Sequence, residues 1–222
     1  MRVSVVSSEK GKIKFPDLSI IIDYFFPIKC PVCGESCDYG DFICKKCKKN
    51  ILSSFKLREG IINKRKYYYG FDYNDDFRKI LISYKYDRKK RLKRDLAFFL
   101  NMIIEKINIK DNSIIVPVPM SRNELKKRKF NHLELILQSS KKPFRKLLIK
   151  RKETERQVGL SREQRLKNMK GAFDIVKVIR GKKIYIFDDI ITTGASFFNA
   201  AACFPENEVY GIMLAHGGKT NG

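Results

Sequence analysis

The chain has 222 residues, and 47 lysines and arginines against 24 aspartates and glutamates leave a formal charge of +23. With 43% apolar residues it can bury a substantial core, which excludes wholesale disorder. At roughly 150 residues per domain, the length predicts one medium domain with a small appendage. The longest apolar stretch, residues 18–28, is about half the length of a membrane helix and is interrupted by Asp23, so no transmembrane segment is expected. Residues 1–11 hold no apolar run before a small-residue cleavage site, so a secretory signal is not expected and the chain is read as cytoplasmic. The charge excess speaks to partners and not to fold. Nucleic acid, a polyphosphorylated small molecule and an anionic membrane surface all satisfy it, and a lysine-rich coding bias would raise it with no function attached.

Along the chain, the apolar run over 18–26 ends at Pro27 and predicts a helix whose buried face docks the next segment on the larger domain. That segment holds five of the six cysteines. Cys30 and Cys33 form one C-x-x-C pair and Cys44 and Cys47 a second, ten residues apart, with Gly34 and Gly40 at turn positions. A two-residue gap lets both sulfurs of a pair reach one ion, and zinc takes four thiolates tetrahedrally, so Cys30, Cys33, Cys44 and Cys47 are the expected set. Cytosolic thiols stay reduced, which weighs against disulfides. Cys37 is the odd one out, either outside the set or substituting for a member of it.

Residues 67–73 alternate enough for a strand, and 76–84 read as the helix that follows. Between Arg78 and Arg94 nine lysines and arginines face the single acid Asp87, with Tyr84 and Tyr86 interleaved. This suits either a phosphate-tracking surface or a solvated helix face. Leu92, Leu96, Phe99, Leu100, Ile103 and Ile107 recur at helical spacing and predict an amphipathic helix over 89–107. A strand at 114–118, a helix at 124–139, a buried strand at 183–187, a helix at 196–203 and a strand at 209–215 complete the expected order. Such alternation implies an α/β domain with a mostly parallel sheet. The expected division is a helix-plus-cysteine module over 18–50 and an α/β domain over 65–216. The polar connection 150–169 has the length usually kept for a mobile functional loop. His132 and His216 have no partner spacing and read as structural or surface residues.

The run from Ile184 to Ser196 carries the most chemistry. A buried strand delivers Asp188 and Asp189 at its carboxyl end, where open α/β sheets bind ligands. Thr192, Thr193, Gly194, Ala195 and Ser196 then open a helix whose N–H groups and hydroxyls form an anion cradle. Carboxylates beside a phosphate cradle suit a ribose 5-phosphate, with the diol on the acids and the phosphate in the loop.

This run resembles the phosphoribosyl pyrophosphate loop of type I phosphoribosyltransferases, and the chain as a whole resembles the ComF family. The ordered matches are the apolar helix with Phe26-Pro27, the cysteine knuckles, Tyr84-Lys85-Tyr86, Val116-Pro-Val-Pro119, Arg128-Lys-Phe-Asn131, Gln157-Val-Gly-Leu160, Arg165-Leu-Lys-Asn168, Gly171-Ala-Phe173, and Asp188 to Ser196. Family members usually have Gly where Lys129 stands. The resemblance implies a type I phosphoribosyltransferase-like parallel sheet flanked by helices, with a small N-terminal zinc-binding module. It implies phosphoribosyl pyrophosphate with magnesium on Asp188, Asp189 and the 192–196 loop, with Arg122 or Arg128 near the pyrophosphate. It casts Arg156, Gln157, Arg165 and Asn168 as residues of a closing hood, and Lys85 as a lesser candidate. ComF relatives are associated with natural transformation, so single-stranded DNA and the DNA-uptake machinery are the implied partners. Three functions compete: a competence protein that binds the ligand and contacts DNA, an active transferase of an unidentified acceptor, and a ligand sensor without turnover.

Overall fold

The computed structural model describes residues 28–38, 40–87, 89–150 and 171–218. In chain order these form α1 (Lys45–Ser53), β1 (Arg58–Ile62), β2 (Arg65–Asp72), α2 (Asp75–Lys85), a 3-10 turn (Lys90–Leu92), α3 (Lys93–Ile107), β3 (Ser113–Pro117), α4 (Arg122–Arg128), α5 (His132–Ser140), β4 (Leu148–Lys150), β5 (Phe173–Ile175), β6 (Lys183–Ile191), α6 (Ala195–Ala202) and β7 (Val209–His216). The expected helix over 18–26 and the hood candidates Arg156, Gln157, Arg165 and Asn168 lie outside the described residues. Among the described residues no helix is long and apolar enough to cross a membrane.

One five-stranded sheet runs β1-β2-β7-β6-β3. The β2, β7, β6 and β3 ladders are parallel, and β1 adds an antiparallel edge through a two-residue turn. Both turn residues, Asn63 and Lys64, are left-handed (φ 47° and 65°), the geometry that matches the twist of the flanking strands. The fold is therefore α/β with a mostly parallel sheet flanked by helices, as expected. At the far edge β3 is bridged in parallel by Phe144, and Arg145 N–H donates to the Ile115 carbonyl at 2.9 Å. β4 and β5 form a separate antiparallel ribbon that pairs Lys150 with Phe173.

Local chemistry explains the helix starts. Asn74 accepts from Phe77 N–H ahead of α2, whose first turn carries Asp75 and Asp76 against the helix dipole. Ser121 and Glu124 form a reciprocal capping box on α4. The single helix expected over 124–139 is two helices. Lys129 turns left-handed at φ 63° and ends α4, and the Asn131 side chain caps α5 by accepting from Leu133 and Glu134 N–H. The Gly-to-Lys departure thus falls on a left-handed residue, where a Cβ costs about 1 kcal/mol.

Phe71, Phe77 and Phe99 meet at the centre of the core, with Phe71 ring centroids 5.2 and 5.0 Å from the other two. All three are at most 2% exposed, and each fully buried ring contributes roughly 1.5–3 kcal/mol. Helix α3 packs on β2, β7 and α5, while α6 packs on β5, β6 and β7. The cysteine module shares this core: Phe42, Ile43, Cys47 and Ile51 belong to the same buried cluster. Lys48 pairs with Asp95 of α3 at 2.7 Å, and Lys79 of α2 donates to the Val32 carbonyl at 3.3 Å. The sheet itself begins before residue 65, at Arg58 of β1.

Candidate functional site

The expected strand over 183–187 extends to Ile191, so both aspartates lie inside β6 and not beyond its end. Consecutive strand residues point to opposite sides. Asp188 lines a concavity of about 250 Å³ together with Thr192, Thr193, Gly194, Ala195 and Ser196. Asp189 turns the other way, is 4% exposed, and is ion-paired with Lys85 at the end of α2. The sequence places the two acids side by side on one sugar, whereas the strand's alternation sends them to different surroundings.

Gly194 makes the loop possible. Its φ of 74° is left-handed, and a Cβ there would lie 2.0 Å from Ile62 Cδ1, so a larger residue would be strained in its backbone and would have to displace the Ile62 side chain of the β1–β2 hairpin. The loop is tied back by Ala195 N–H to Thr193 Oγ1 at 3.4 Å. Behind it, Gly217 N–H donates to the Ile191 carbonyl at 2.7 Å. The first N–H groups of α6 have no intrahelical acceptor and border the concavity with the hydroxyl-bearing Thr193 and Ser196, a setting suited to an anion.

Burial raises the Asp188 carboxyl above the usual range, and the negative charge of Asp189 raises it further; Lys85 and the Asp189 N–H, 2.9 Å from Asp188 Oδ1, oppose this. For Asp189 burial also pushes upward, but the Lys85 ammonium and His132 outweigh it and hold the carboxyl well below the usual range.

His132, read from sequence as a structural or surface residue, sits in this network. Its Nε2 is 3.3 Å from Asp189 Oδ2 and its Nδ1 is 3.0 Å from Arg128 Nη1. A guanidinium only donates, so Nδ1 accepts and the proton sits on Nε2, facing Asp189. Burial keeps the imidazole neutral by lowering its pKa, against the pull of Asp189. The spacing signal was present, because His132 directly follows the Arg128–Asn131 motif, but only the α4–α5 break reveals where it points. Arg128 is buried, lies 5.3 Å over the Tyr86 ring, and donates to the Tyr86 hydroxyl at 3.4 Å. The Tyr84 hydroxyl donates to the His132 carbonyl at 2.8 Å. Tyr84 is fully buried and cannot stack on a base, so Tyr86, 52% exposed, is the aromatic that the basic stretch presents. Arg122 opens α4 as an exposed residue. His216 ends β7 with its ring 5.0 Å from that of Tyr69.

The four knuckle sulfurs of Cys30, Cys33, Cys44 and Cys47 all lie within 4.8 Å of one another, with Cys33 and Cys44 Sγ 3.7 Å apart. A tetrahedron of thiolates at zinc–sulfur bond length has edges of about 3.8 Å, so the donor set fits that ion. Gly34, at φ 81°, closes the first knuckle through its N–H to the Cys30 carbonyl, and Cys44 opens α1. Burial raises the Cys30 thiol, but N–H donation from Cys33, Cys44 and Val32 outweighs it and brings the pKa to about 7. Cys37 stays outside the set of four, and burial followed by the charges of Cys30 and Cys44 pushes its thiol up to about 12.

No family model matches the chain. Competence protein ComFC of Bacillus subtilis (strain 168) is 26% identical over 181 residues, covering 80% of this chain and 71% of that protein. Competence protein ComFC of Streptococcus pneumoniae (strain ATCC BAA-255 / R6) is 29% identical over 164 residues, covering 71% of each. Among solved structures, an adenine phosphoribosyltransferase overlaps 76% of this chain and 89% of its own at 15% identity and a TM-score of 0.37. Leishmania donovani UMP synthase overlaps 77% of this chain at 14% identity and a TM-score of 0.36, with this chain spanning 31% of it. The resemblance read from the motifs therefore meets two competence proteins named ComFC, to which this chain is similar across most of its length.

Proposed function

We propose that this chain is a ComF-type competence protein that binds phosphoribosyl pyrophosphate with magnesium at the β6–α6 loop and supports DNA uptake. The observation that carries the reading is the joining of Asp188 to the 192–196 loop in one concavity, a carboxylate beside an anion cradle. The N–H groups of the loop and the hydroxyls of Thr193 and Ser196 would hold the 5-phosphate. Asp188 would accept from the ribose hydroxyls. Magnesium would neutralise charge on the pyrophosphate and, where turnover occurs, on the group as it leaves. Cys30, Cys33, Cys44 and Cys47 would hold a structural zinc, since four thiolates leave no open position for a substrate.

Thermal unfolding with and without magnesium phosphoribosyl pyrophosphate tests the ligand, on the wild type and on Asp188→Asn. At a hundredfold excess over Kd, linkage gives about 2.7 kcal/mol of stabilisation. A shift in the wild type that is lost in the variant is expected; no shift in the wild type removes the reading.

Contact with single-stranded DNA is supported by the +23 charge, by the half-exposed Tyr86 with the Arg128 guanidinium 5.3 Å over its ring, and by the exposed Lys90, Lys126, Lys127 and Lys129. Counterion release makes such binding strongly salt-dependent. Affinity no greater than that of a lysine-rich control protein at matched salt would count against it. The alternative, an active phosphoribosyltransferase of an acceptor unrelated to DNA uptake, predicts pyrophosphate release when the acceptor is supplied.

A further inference from the structure

The basic stretch between Arg78 and Arg94 is neither a phosphate-tracking surface nor a solvated face along its whole length, because several of its cations are engaged inside the protein. On one side it grips the cysteine module. Lys79 Nζ donates to the Val32 carbonyl at 3.3 Å, and Lys89 Nζ donates to the Lys29 carbonyl at 3.4 Å. Val32 lies inside the first knuckle, between Cys30 and Cys33, and Lys29 immediately precedes it. The Arg91 guanidinium sits 5.7 Å over the Phe42 ring, and Asp95 at the start of α3 holds Lys48 of α1 at 2.7 Å.

On the other side the same stretch grips the candidate ligand site. Lys85, between the two lysine anchors, is ion-paired with Asp189 of β6, the neighbour of Asp188. The Tyr84 hydroxyl donates to the His132 carbonyl at 2.8 Å, the Tyr86 ring carries the Arg128 guanidinium at 5.3 Å, and Lys90 lies 5.0 Å over the Phe130 ring. At about 100° per residue, Lys79 and Lys85 are about 120° apart round α2, so one helix reaches both neighbours.

We propose that residues 79–95 are a strap that couples metal binding in the cysteine module to ligand binding at the β6–α6 loop, each favouring the other. The proposal rests on the phosphoribosyl reading for the identity of the ligand and on the fit of the four sulfurs to zinc. Joined through one ion, Cys30 and Cys33 fix the Val32 and Lys29 carbonyls as acceptors. In the metal-free chain that cross-link is gone, Lys79 and Lys89 return to water, and Lys85 is held from the ligand side alone. Each lysine contact is solvent-accessible and worth little by itself. The buried Asp95 and the Phe42 ring make the grip collective. A coupling at the low end of the usual range, about fivefold in affinity, is therefore expected, and linkage requires the same factor in both directions.

The test uses the full chain loaded with zinc, as wild type and as Lys79→Met combined with Lys89→Met, two residues outside the ligand site. The readout is zinc affinity, from competition with a chromogenic chelator, without and with saturating magnesium phosphoribosyl pyrophosphate. Asp188→Asn, run alongside, corrects for zinc taken up by the pyrophosphate itself. The wild type is expected to hold zinc about fivefold more tightly with the ligand. The double variant should gain less than about twofold, while keeping one zinc per chain and the wild-type circular dichroism. Equal zinc affinity in a wild type whose melting temperature the ligand raises overturns the proposal, as does full coupling in the double variant. If the double variant does not fold, the two single variants take its place, and coupling undiminished in both is the overturning result. If the wild type does not bind the ligand, the phosphoribosyl reading falls, and amide hydrogen exchange of the zinc-loaded proteins decides whether the module steadies the Lys85 end of α2. Tyr86 and Asp87 N–H, bonded to the Ile82 and Ser83 carbonyls at 2.8 and 3.2 Å, should exchange about fivefold faster in the double variant. Unchanged exchange there removes the strap.

Discussion

Lys48 of α1 reaches Asp95 of α3 at 2.7 Å across the seam between the cysteine module and the α/β body, with the aspartate side chain only 7% exposed. Lys48 also lies 5.6 Å over the Phe98 ring, so one cation closes both a charge and an apolar edge. Removing the lysine alone leaves a buried carboxylate without its partner. Lys48→Met is expected to cost about 2 kcal/mol, less than a fully buried pair because Lys48 is partly solvated. Lys48→Met with Asp95→Leu should recover most of it. The chain has no tryptophan, so urea unfolding is best followed by circular dichroism. Equal stability of the single and double variants would remove the pair as the cause.

Loss of the metal should reach the same seam. Cys47 and Ile51 are buried in the common core and are held in α1, which begins at the second knuckle. Cys33→Ser or Cys44→Ser is expected to abolish stoichiometric zinc and to lower the unfolding midpoint of the whole chain in a single transition. Cys37→Ser should keep one zinc per chain. Zinc content by atomic absorption, alongside the melting curve, checks both; a metal-free protein that melts at the wild-type temperature would contradict the structural role.

Lys129 occupies a left-handed position at φ 63° and is exposed, so its side chain makes no packing claim on that geometry. Lys129→Gly is expected to raise stability by about 0.5–1 kcal/mol, the relief of left-handed strain less the greater freedom of glycine in the unfolded chain. Lys129→Ala should be close to neutral. A glycine variant less stable than the alanine one would show that the strain is absent.

At Gly194 the argument reverses. A methyl group there meets Ile62 at 2.0 Å as well as the positive φ. Gly194→Ala is expected to cost about 2–3 kcal/mol, and Ile62→Ala in the same chain should recover only the steric part. Full recovery by the second substitution would mean that backbone strain contributes nothing.

The pH dependence separates the aspartates. A carboxyl whose folded pKa is raised stabilises fully below its unfolded value, about pH 4, and loses that contribution as pH rises through the folded value. Asp188 is such a group, raised by burial and then by Asp189. His132 has the opposite dependence: its lowered pKa gives a contribution present above about pH 6.5 and lost as pH falls. Asp188→Asn should therefore be more stable than the wild type at pH 8, with the difference shrinking toward pH 4. Melting temperatures across that range check this, and a constant difference would argue that Asp188 is not held neutral. Ligand binding and stability would then make opposite demands on one residue.

Most of the sheet is legible because its strands are apolar and β-rich, as in residues 184–187 and 209–215, and the cysteine spacing picks out the four sulfurs that the fold brings together. What periodicity could not show was where a repeat is interrupted. Residues 124–139 keep an amphipathic pattern through Lys129, and only the left-handed backbone there, with Asn131 capping, divides them. β1 is not legible in the sequence because Arg58, Glu59 and Gly60 carry no strand signal and are drawn into place by Tyr67 to Tyr69 alongside. Asp188 and Asp189 were identified as a pair, yet their separation depends on how far β6 continues past Phe187, which Ile190 and Ile191 decide through packing. Tyr84 and His132 lie in charged stretches of the sequence, whereas the burial of both is set by neighbours in space.

The two margins of the sheet are unequal. β3 is partly closed by the Phe144 bridge and the Arg145 donation, while among the described residues no strand pairs with the outer side of β1, where Ile61 is 69% exposed at the end of the hairpin. Among the described residues, strand addition by another chain, the first step of many aggregates, therefore has one margin to use, and that margin is only five residues long and interspersed with Arg58 and Glu59.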